Sequence, residues 1–386
     1  MVNIAMIGVG AISGIYLENL TKTFKEVKIL GVCDLVRERA ENAKEKYGIE
    51  KIYDTMHDAF NDPDVQVVLN LTRPYEHFEV TKAALLKGKH VYSEKPLAAD
   101  FEEGKELVRI AKEQGLMMGG APDTYMGAGI QTCRKLIDDG MIGQPIGAAC
   151  FMIGHGHETW HPDPEFYYKR GGGPMMDMGP YYVTALVNML GAVKGVTGVT
   201  KKSFNERIIT SEPHYGEKVD VDVATYVTGT LQFESGAVGT IFTTFDVYYG
   251  RRNQARFEVY GTNGTLIVPD PNTFGGPIYL FRPEDQQKKP AVDPGLLGAA
   301  NGMEGYKEIP LMFDYCENSR GLGLADMCKA IETKREIRAD YEQQEHVLEI
   351  LCAFEKSSEK QAYLPLETKY TRHAPMKNNP MHGILD

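Results

Sequence analysis

Gly8-Val9-Gly10-Ala11-Ile12-Ser13 is the stretch on which the fold turns. It follows an apolar run, Val2–Ile7, and opens an amphipathic stretch that begins at Ser13. A strand that ends in a glycine turn and feeds directly into a helix is the opening of a βαβ unit, and each small residue in such a turn has its own use. Gly8 permits the tight turn, and Gly10 lets the backbone come close to a ligand. A pyrophosphate placed there faces the positive end of the helix. The last small position is Ser13 instead of glycine, which still lets the helix pack closely on the strand. Asp34 ends the second apolar run, about twenty residues on, where a carboxylate can accept hydrogen bonds from both ribose hydroxyls. Gly8, Gly10, Ala11, Ile12, Ser13 and Asp34 are therefore expected to hold a dinucleotide.

The same rhythm continues outward from the turn. Strands are expected at Val27–Cys33, Val65–Leu71, His90–Ser93 and Leu116–Gly119, with helices near residues 13–23, 35–47, 75–87 and 100–114 between them. The strands are almost wholly apolar, as strands covered on both faces are, and helical crossovers of this length imply a parallel sheet. After about residue 145 the pattern changes. Residues 146–153, 224–233, 237–245, 254–260 and 265–268 read as strands, with hairpin turns at Glu234-Ser235-Gly236 and Thr262-Asn263-Gly264. Residues 269–310 read as an irregular Gly- and Pro-rich excursion, and helices return near 322–333 and 341–358. The expected fold is α/β: an N-terminal Rossmann doubly wound parallel sheet over residues 1–123, then a C-terminal α+β domain over 124–386. The second domain carries a large, mostly antiparallel sheet, open on one face to a partner subunit.

Composition narrows the function. The chain has 386 residues, 42% hydrophobic and 25% charged, with a formal net charge of −11. An acidic chain offers no field to recruit nucleic acid or anionic lipid. No apolar run approaches the ~18 residues of a membrane span, and the N-terminus lacks a signal-peptide pattern. The six cysteines are scattered, without a C-x-x-C pair, as in reduced, buried thiols of a cytoplasmic protein.

Two later segments are far less generic. The first runs Thr72-Arg73-Pro74-Tyr75-Glu76-His77, followed by Gly88-Lys89-His90-Val91-Tyr92-Ser93-Glu94-Lys95-Pro96-Leu97. The second is Asp177-Met178-Gly179-Pro180-Tyr181. Together they resemble the Gfo/Idh/MocA family, which includes glucose–fructose oxidoreductases and inositol dehydrogenases. The family's T-P-x-x-x-H appears with one residue inserted after Thr72, its G-K-H-V-x-x-E-K-P-L is complete, and its D-x-G-x-H ends in tyrosine. The resemblance implies a nicotinamide site shaped by Thr72, His77, Glu94 and Lys95. It also implies substrate contact and proton transfer by Asp177 and the residue at 181.

The residues can be read physically beside that resemblance. Lys95 lies just past a buried parallel strand, where doubly wound sheets bind ligands. Desolvation and a cationic nicotinamide are expected to lower its pKa, so that it can assist an alkoxide. Asp177 and Tyr181 are four apart, which places them on one side of a helical turn. Tyrosine ionises near pH ~10 and needs help where histidine does not. Tyr181 is the expected proton acceptor, with Lys95 as base the alternative. Asp177 either orients substrate hydroxyls or caps a helix. His155, His157, Trp160 and His161 sit in an aromatic loop suited to a sugar ring, to self-packing or to a metal, and no metal is expected. Tyr125 is a further candidate for substrate contact. Asp34 favours NAD over NADP, although Arg37 and Arg39 lie near enough to offset a 2′-phosphate.

The expected reaction is oxidation of a secondary alcohol of a sugar, glycoside or cyclitol, or its reverse, with NAD as hydride acceptor and NADP as the less favoured cofactor. Two rivals stand: an enzyme whose tightly bound NAD is recycled in a redox cycle, and a non-catalytic dinucleotide-binding regulator. The expected partners are a small polyol and further copies of the chain, as a homodimer or homotetramer, with no nucleic acid and no membrane.

Overall fold

The computed structural model describes residues 1–248, 256–285, 305–377 and 381–386. Its first part alternates strands and helices: β1 (Val2–Ile7), α1 (Ser13–Lys22), β2 (Val27–Cys33), α2 (Arg37–Tyr47), β3 (Lys51–Ile52), α3 (Met56–Asn61), β4 (Val67–Asn70), α4 (His77–Leu86), β5 (His90–Ser93), α5 (Phe101–Gln114) and β6 (Met118–Gly120). All six strands pair in parallel in the order β3-β2-β1-β4-β5-β6. The chain direction of build-up reverses between β1 and β4, so the crevice beyond their carboxyl ends is where such sheets bind ligands. Val67, Val68, Leu69, Val91 and Tyr92 are fully buried, which is why these strands carry no alternation of polar residues. Local chemistry sets the helix ends. Asp100 accepts the Glu103 N–H at the start of α5 (3.0 Å), and Gly48 and Gly115 end α2 and α5 in the left-handed conformation.

The remainder runs α6 (Ala128–Asp138), β7 (Pro145–Ile153), α7 (Gly173–Asp177), α8 (Gly179–Leu190), β8 (Val193–Lys201), β9 (Glu206–Ile208), β10 (Lys218–Asp220), β11 (Tyr226–Phe233), β12 (Val238–Thr244), β13 (Arg256–Gly261), β14 (Gly264–Ile267), β15 (Ile278–Phe281), β16 (Lys307–Ile309), α9 (Leu322–Thr333), α10 (Tyr341–Lys360) and β17 (Leu364–Pro365). Nine of these strands form one sheet in the order β16-β15-β14-β13-β7-β12-β11-β8-β17. Both expected hairpins are present, as the antiparallel pairs β11–β12 and β13–β14. The pairing is antiparallel throughout except at β7–β12, which is parallel. The expected excursion at 269–310 is interrupted by β15 and β16, and its residues 286–304 lie outside the described residues, as do 254 and 255 of the strand expected at 254–260.

Helices cover one face of this sheet. α10 packs on β8 and also on α5 and β6, so a single helix joins the two sheets. Gly198 makes that approach possible, because a Cβ there would lie 2.6 Å from the Phe354 carbonyl oxygen. The other face leaves Val199 and Val238 exposed, with Phe151 and Phe242 beside them, ring centroids 6.4 Å apart. Among the described residues, no helix is long and apolar enough to cross a membrane.

Candidate active site

The glycine turn adopts the geometry its sequence requires. Gly8 has φ +95°, and a Cβ on it would lie 2.7 Å from the Leu71 carbonyl oxygen, so only glycine fits between β1 and β4. Gly10 faces open space and is exposed. The first turn of α1 has no side-chain cap, and the Ser13 hydroxyl turns back to the Gly10 carbonyl (2.7 Å). Free N–H groups of Gly10, Ala11 and Ile12 at a helix start, with room above a residue lacking a side chain, fit a pyrophosphate. Asp34 stands beside this turn. Its carboxylate accepts the Val9 N–H (2.6 Å) and the Val36 N–H (2.8 Å), which fixes it at the end of β2. Arg37 lies outside the turn on the surface of α2, engaged by Glu41 (3.1 Å) and by Asp54.

At the end of β4, buried Asn70 organises the next segment. Its amide accepts the Thr72 hydroxyl (2.7 Å) and Thr72 N–H (3.2 Å), and donates to Thr81 (3.0 Å) and to the His77 carbonyl (3.2 Å). His77 is itself buried, with its ring nitrogens 2.7 Å from the Pro96 carbonyl oxygen and 3.0 Å from that of Thr72. It therefore ties the Thr72 turn to the segment after β5. There Glu94 accepts the Tyr16 hydroxyl (2.8 Å) from α1 and the Lys95 N–H (2.9 Å), and the Lys95–Pro96 peptide is cis.

Lys95 reaches away from this shell into the second part of the chain. Its ammonium donates to the Asp177 carboxylate (2.7 Å) and to the Asp177 carbonyl (3.0 Å). The other carboxylate oxygen of Asp177 accepts from His157 Nε2 (2.8 Å). Lys95 also stands over the Tyr181 ring, 5.3 Å from its centroid. Asp177 and Lys95 are almost completely buried, with 10% and 16% of their side chains exposed. Burial alone would neutralise both, but their mutual attraction prevails. Lys95 is held well above its ordinary pKa by Asp177, Tyr181 and Glu94, and Asp177 is held far below the usual carboxylate range by Lys95 and His157. The expected fall in the pKa of Lys95 is thus reversed, because two carboxylates surround the ammonium.

Asp177 and Tyr181 do converge, but not on one helix. Pro180 has no N–H to continue the ladder, and the chain breaks at Met178 into α7 and α8. The Asp177 side chain caps neither helix. Burial raises the pKa of the Tyr181 phenol; Lys95 and Arg320 pull it down, Glu94 and Asp177 push it up, and the balance is upward. Tyr182 fills core against Phe257.

The aromatic loop lies across the site. His157 packs against Tyr167, Phe245 and Trp160 at 4.2, 4.7 and 5.2 Å. Trp160 is 61% exposed, while His161 is buried and accepts the Asp163 N–H (3.0 Å). His155 faces Glu158 and stacks on Tyr248, away from Asp177. Among the described residues no group of three or more His, Cys, Asp or Glu side chains could hold a metal ion. Tyr125 does not reach the site: it is 2% exposed and its hydroxyl donates to the Arg338 carbonyl (2.9 Å), so the expectation of substrate contact is corrected.

Three residues not singled out from sequence belong to this arrangement: Tyr16, Asn70 and Arg320. Tyr16 follows Ser13 by one helical turn, a spacing that points it at the sheet. Arg320 has no comparable signal, since it stands far along the chain in a loop before α9.

A buried Lys95–Asp177 pair just past β5 of the parallel sheet, with the Tyr181 ring beside it and an uncrowded glycine turn at the start of α1, suits a dinucleotide-dependent oxidoreductase. Comparison with known proteins agrees. Residues 2–120 match the model of the oxidoreductase family with an NAD-binding Rossmann fold, and residues 130–267 match the GFO/IDH/MocA C-terminal domain. The chain belongs to the GFO/IDH/MocA family of oxidoreductases. It is 26% identical to myo-inositol 2-dehydrogenase of Thermotoga maritima over 72% of this chain and 81% of that one. It is 28% identical to scyllo-inositol 2-dehydrogenase (NAD(+)) of Bacillus subtilis, over 69% and 73% of the two chains. The fold is shared with a levoglucosan dehydrogenase in its apo form (TM-score 0.80, 20% identity, 96% of this chain and 99% of that one). It is also shared with an NAD-binding oxidoreductase of Klebsiella pneumoniae (TM-score 0.78, 21% identity, 95% and 99%).

Proposed function

We propose that this protein is an NAD-dependent dehydrogenase that oxidises a secondary alcohol of a sugar, glycoside or cyclitol. The observation that carries the reading is the convergence of Lys95, Asp177, His157 and Tyr181 at the mouth of the Rossmann crevice. When bound, the nicotinamide supplies the hydride acceptor. The substrate hydroxyl sits between Lys95 and Tyr181. Lys95 gives two of its hydrogens to Asp177, leaving a third for the substrate oxygen as it becomes an alkoxide. Tyr181, as the phenolate left after its own proton has gone to solvent, takes the hydroxyl proton. Lys95 is a poor base here because Asp177 keeps it cationic. Asp177 orients Lys95 and a neighbouring hydroxyl, and His157 holds Asp177 in place. Trp160, His161 and Tyr167 offer the C–H face of a ring an apolar wall with polar edges.

Residues 1–123 form the cofactor half and 124–386 the substrate half in this reading. Gly8, Gly10, Ala11, Ile12 and Ser13 line the pyrophosphate position, and Thr72, His77 and Glu94 shape the nicotinamide end. The preference for NAD follows from Asp34, whose fixed carboxylate would repel a 2′-phosphate, and from Arg37, whose charge is already matched by Glu41 and Asp54. The apolar sheet face around Val199 and Val238 fits a homodimer or homotetramer, and the reduced thiols fit the cytoplasm. Relatives named as inositol, xylose and levoglucosan dehydrogenases support the polyol class.

The test is a panel of inositols and sugars assayed for NADH formation, with Lys95→Ala and Tyr181→Phe as controls. Turnover of at least one polyol by the wild type and its loss in both variants is expected. Full activity in both variants would overturn the assignment.

A further inference from the structure

His157 and Glu158 are neighbours in the chain with different tasks. His157 turns its Nε2 to Asp177 (2.8 Å). Glu158 is buried behind the aromatic loop, where its carboxylate accepts the Tyr168 hydroxyl and lies 3.3 Å from Arg207 Nε and 3.4 Å from His155 Nε2. Arg207 is equally buried and comes from β9, which pairs only with β10. Its guanidinium also donates to the Phe245 carbonyl and lies 3.7 Å from the Asp246 carboxylate, just past β12. The Thr225 hydroxyl donates to the other oxygen of Asp246 (2.8 Å). Two buried carboxylates thus share one guanidinium. The main chain is tied at the same place, because the Glu158 carbonyl accepts the N–H groups of Thr210 (2.8 Å) and Ser211 (3.1 Å), beyond β9. A Cβ on Gly156 would overlap both the Tyr168 hydroxyl and the Glu158 carboxylate, so these groups press on the backbone just before His157.

We propose that Arg207 is a positioning residue for the reaction, which sets the His157 ring on Asp177 by holding Glu158. Its effect on turnover rests on the reading of Lys95 and Asp177 as the groups that meet the substrate hydroxyl. Tyr167, Phe245 and Trp160 confine the His157 ring, but apolar contact has no direction. A buried ion pair contributes little net stability, whereas a planar guanidinium fixes the direction of what it binds. Direction is what the site requires. Asp177 gives one carboxylate oxygen to Lys95 and the other to His157. With His157 turned away, Oδ2 loses that donor and the carboxylate can rotate about Lys95. The third hydrogen of the ammonium then no longer points at the substrate oxygen. Arg207 does not touch the substrate in this account; it acts through Glu158, the turn and His157.

Two variants of the full chain test this. Arg207→Lys keeps the charge and loses the fork; Glu158→Gln keeps an acceptor for Tyr168 and leaves Arg207 beside Asp246. Circular dichroism checks that each is folded, and Glu158→Gln, the milder change, carries the test alone if Arg207→Lys is not. Heteronuclear NMR of histidine-labelled protein follows exchange of the His157 imidazole N–H with water, the signal being assigned by its absence from His157→Gln. Exchange is expected to quicken by about tenfold or more in both variants, as when a charge-assisted hydrogen bond is lost. NADH affinity should stay unchanged. With a polyol that the wild type oxidises, kcat is expected to fall by about tenfold in each variant, and by far less when the same change is made in the His157→Gln background. Unchanged exchange at His157, or equal losses of kcat in both backgrounds, would overturn the inference and leave Arg207 a prop of the fold. Absence of turnover in the wild type would instead remove the proposed function, while the exchange measurement would still decide what holds His157.

Discussion

Lys95 and Asp177 each keep the other charged, and a change to either is expected to be costly. Removing one partner of a buried pair strands the other, typically at about 3–5 kcal/mol. Lys95→Ala should therefore lower the melting temperature as well as abolish turnover. A double variant Lys95→Met/Asp177→Leu should regain stability but not activity, a contrast that thermal denaturation and NADH assays together would reveal. The pair also sets an acid limit. The pKa of Asp177 is lowered from its ordinary 3.8, so its contribution is present above that value and fades as pH falls below it. Urea titrations between pH 5 and pH 3 should show a steeper loss of stability in the wild type than in Asp177→Asn. Tyr181→Phe keeps the ring and loses only the proton acceptor. It is expected to reduce kcat by about 10²-fold or more with little change in KM. Lys95 and Asp177 were legible in the sequence because their motifs are local. Tyr16 was not, because its partner Glu94 belongs to a different segment of the chain.

Elements repeat this division between local and distant causes. The strands of the parallel sheet are readable because burial on both faces leaves an unbroken apolar run, and β1, β2 and β5 have the expected ends. β8 was missed since Gly195 and Gly198 dilute its alternation, and Gly198 is needed for the approach of α10. α6 was missed among the glycines and small residues of 119–132. The break between α7 and α8 depends on Pro180, which a spacing of four between Asp177 and Tyr181 does not reveal. Two predictions belong here. Gly8→Ala forces a Cβ against the Leu71 carbonyl at a positive φ, so NADH affinity measured by fluorescence should fall sharply and stability by about 1–3 kcal/mol. Asp123 caps α9 from the end of the parallel sheet, and burial raises its pKa from 3.8 to about 6. A raised acid favours the fold when protonated, so stability attributable to it is lost as pH rises from about 4 to 6. Asp123→Asn, whose amide oxygen can still accept the Gly321 and Gly323 N–H groups, should flatten the stability profile across that window.

On the scale of the whole molecule, the site exists only where the two sheets meet. α10 bridges them, and ion pairs cross the mouth: Arg73 with Asp163 (2.6 Å), and Arg170 with Glu103 (2.6 Å) and Asp100. Arg73 is the residue inserted into the family's T-P-x-x-x-H, which gives that insertion a contact with the aromatic loop. Apart from Glu103 these side chains are about half exposed, so each pair is worth at most about 1 kcal/mol. Asp163→Asn is expected to leave the melting temperature nearly unchanged while raising KM for the polyol, most visibly at low ionic strength. The open sheet face yields a separate expectation: Val238→Glu should reduce the mass seen by light scattering if copies associate through it. The parallel pairing of β7 with β12 has a wider consequence. To leave β7 and return beside it in the same direction, the chain must travel a long way round, and its first excursion, before β8, lays down His157, Trp160, His161, Asp177 and Tyr181 in one uninterrupted passage. Apart from Lys95, the side chains that we assign to substrate are therefore inherited together, in a stretch that carries no strand of the large sheet. A lineage could alter what it eats by drift or recombination within that passage, while the apparatus for holding the dinucleotide passes down untouched.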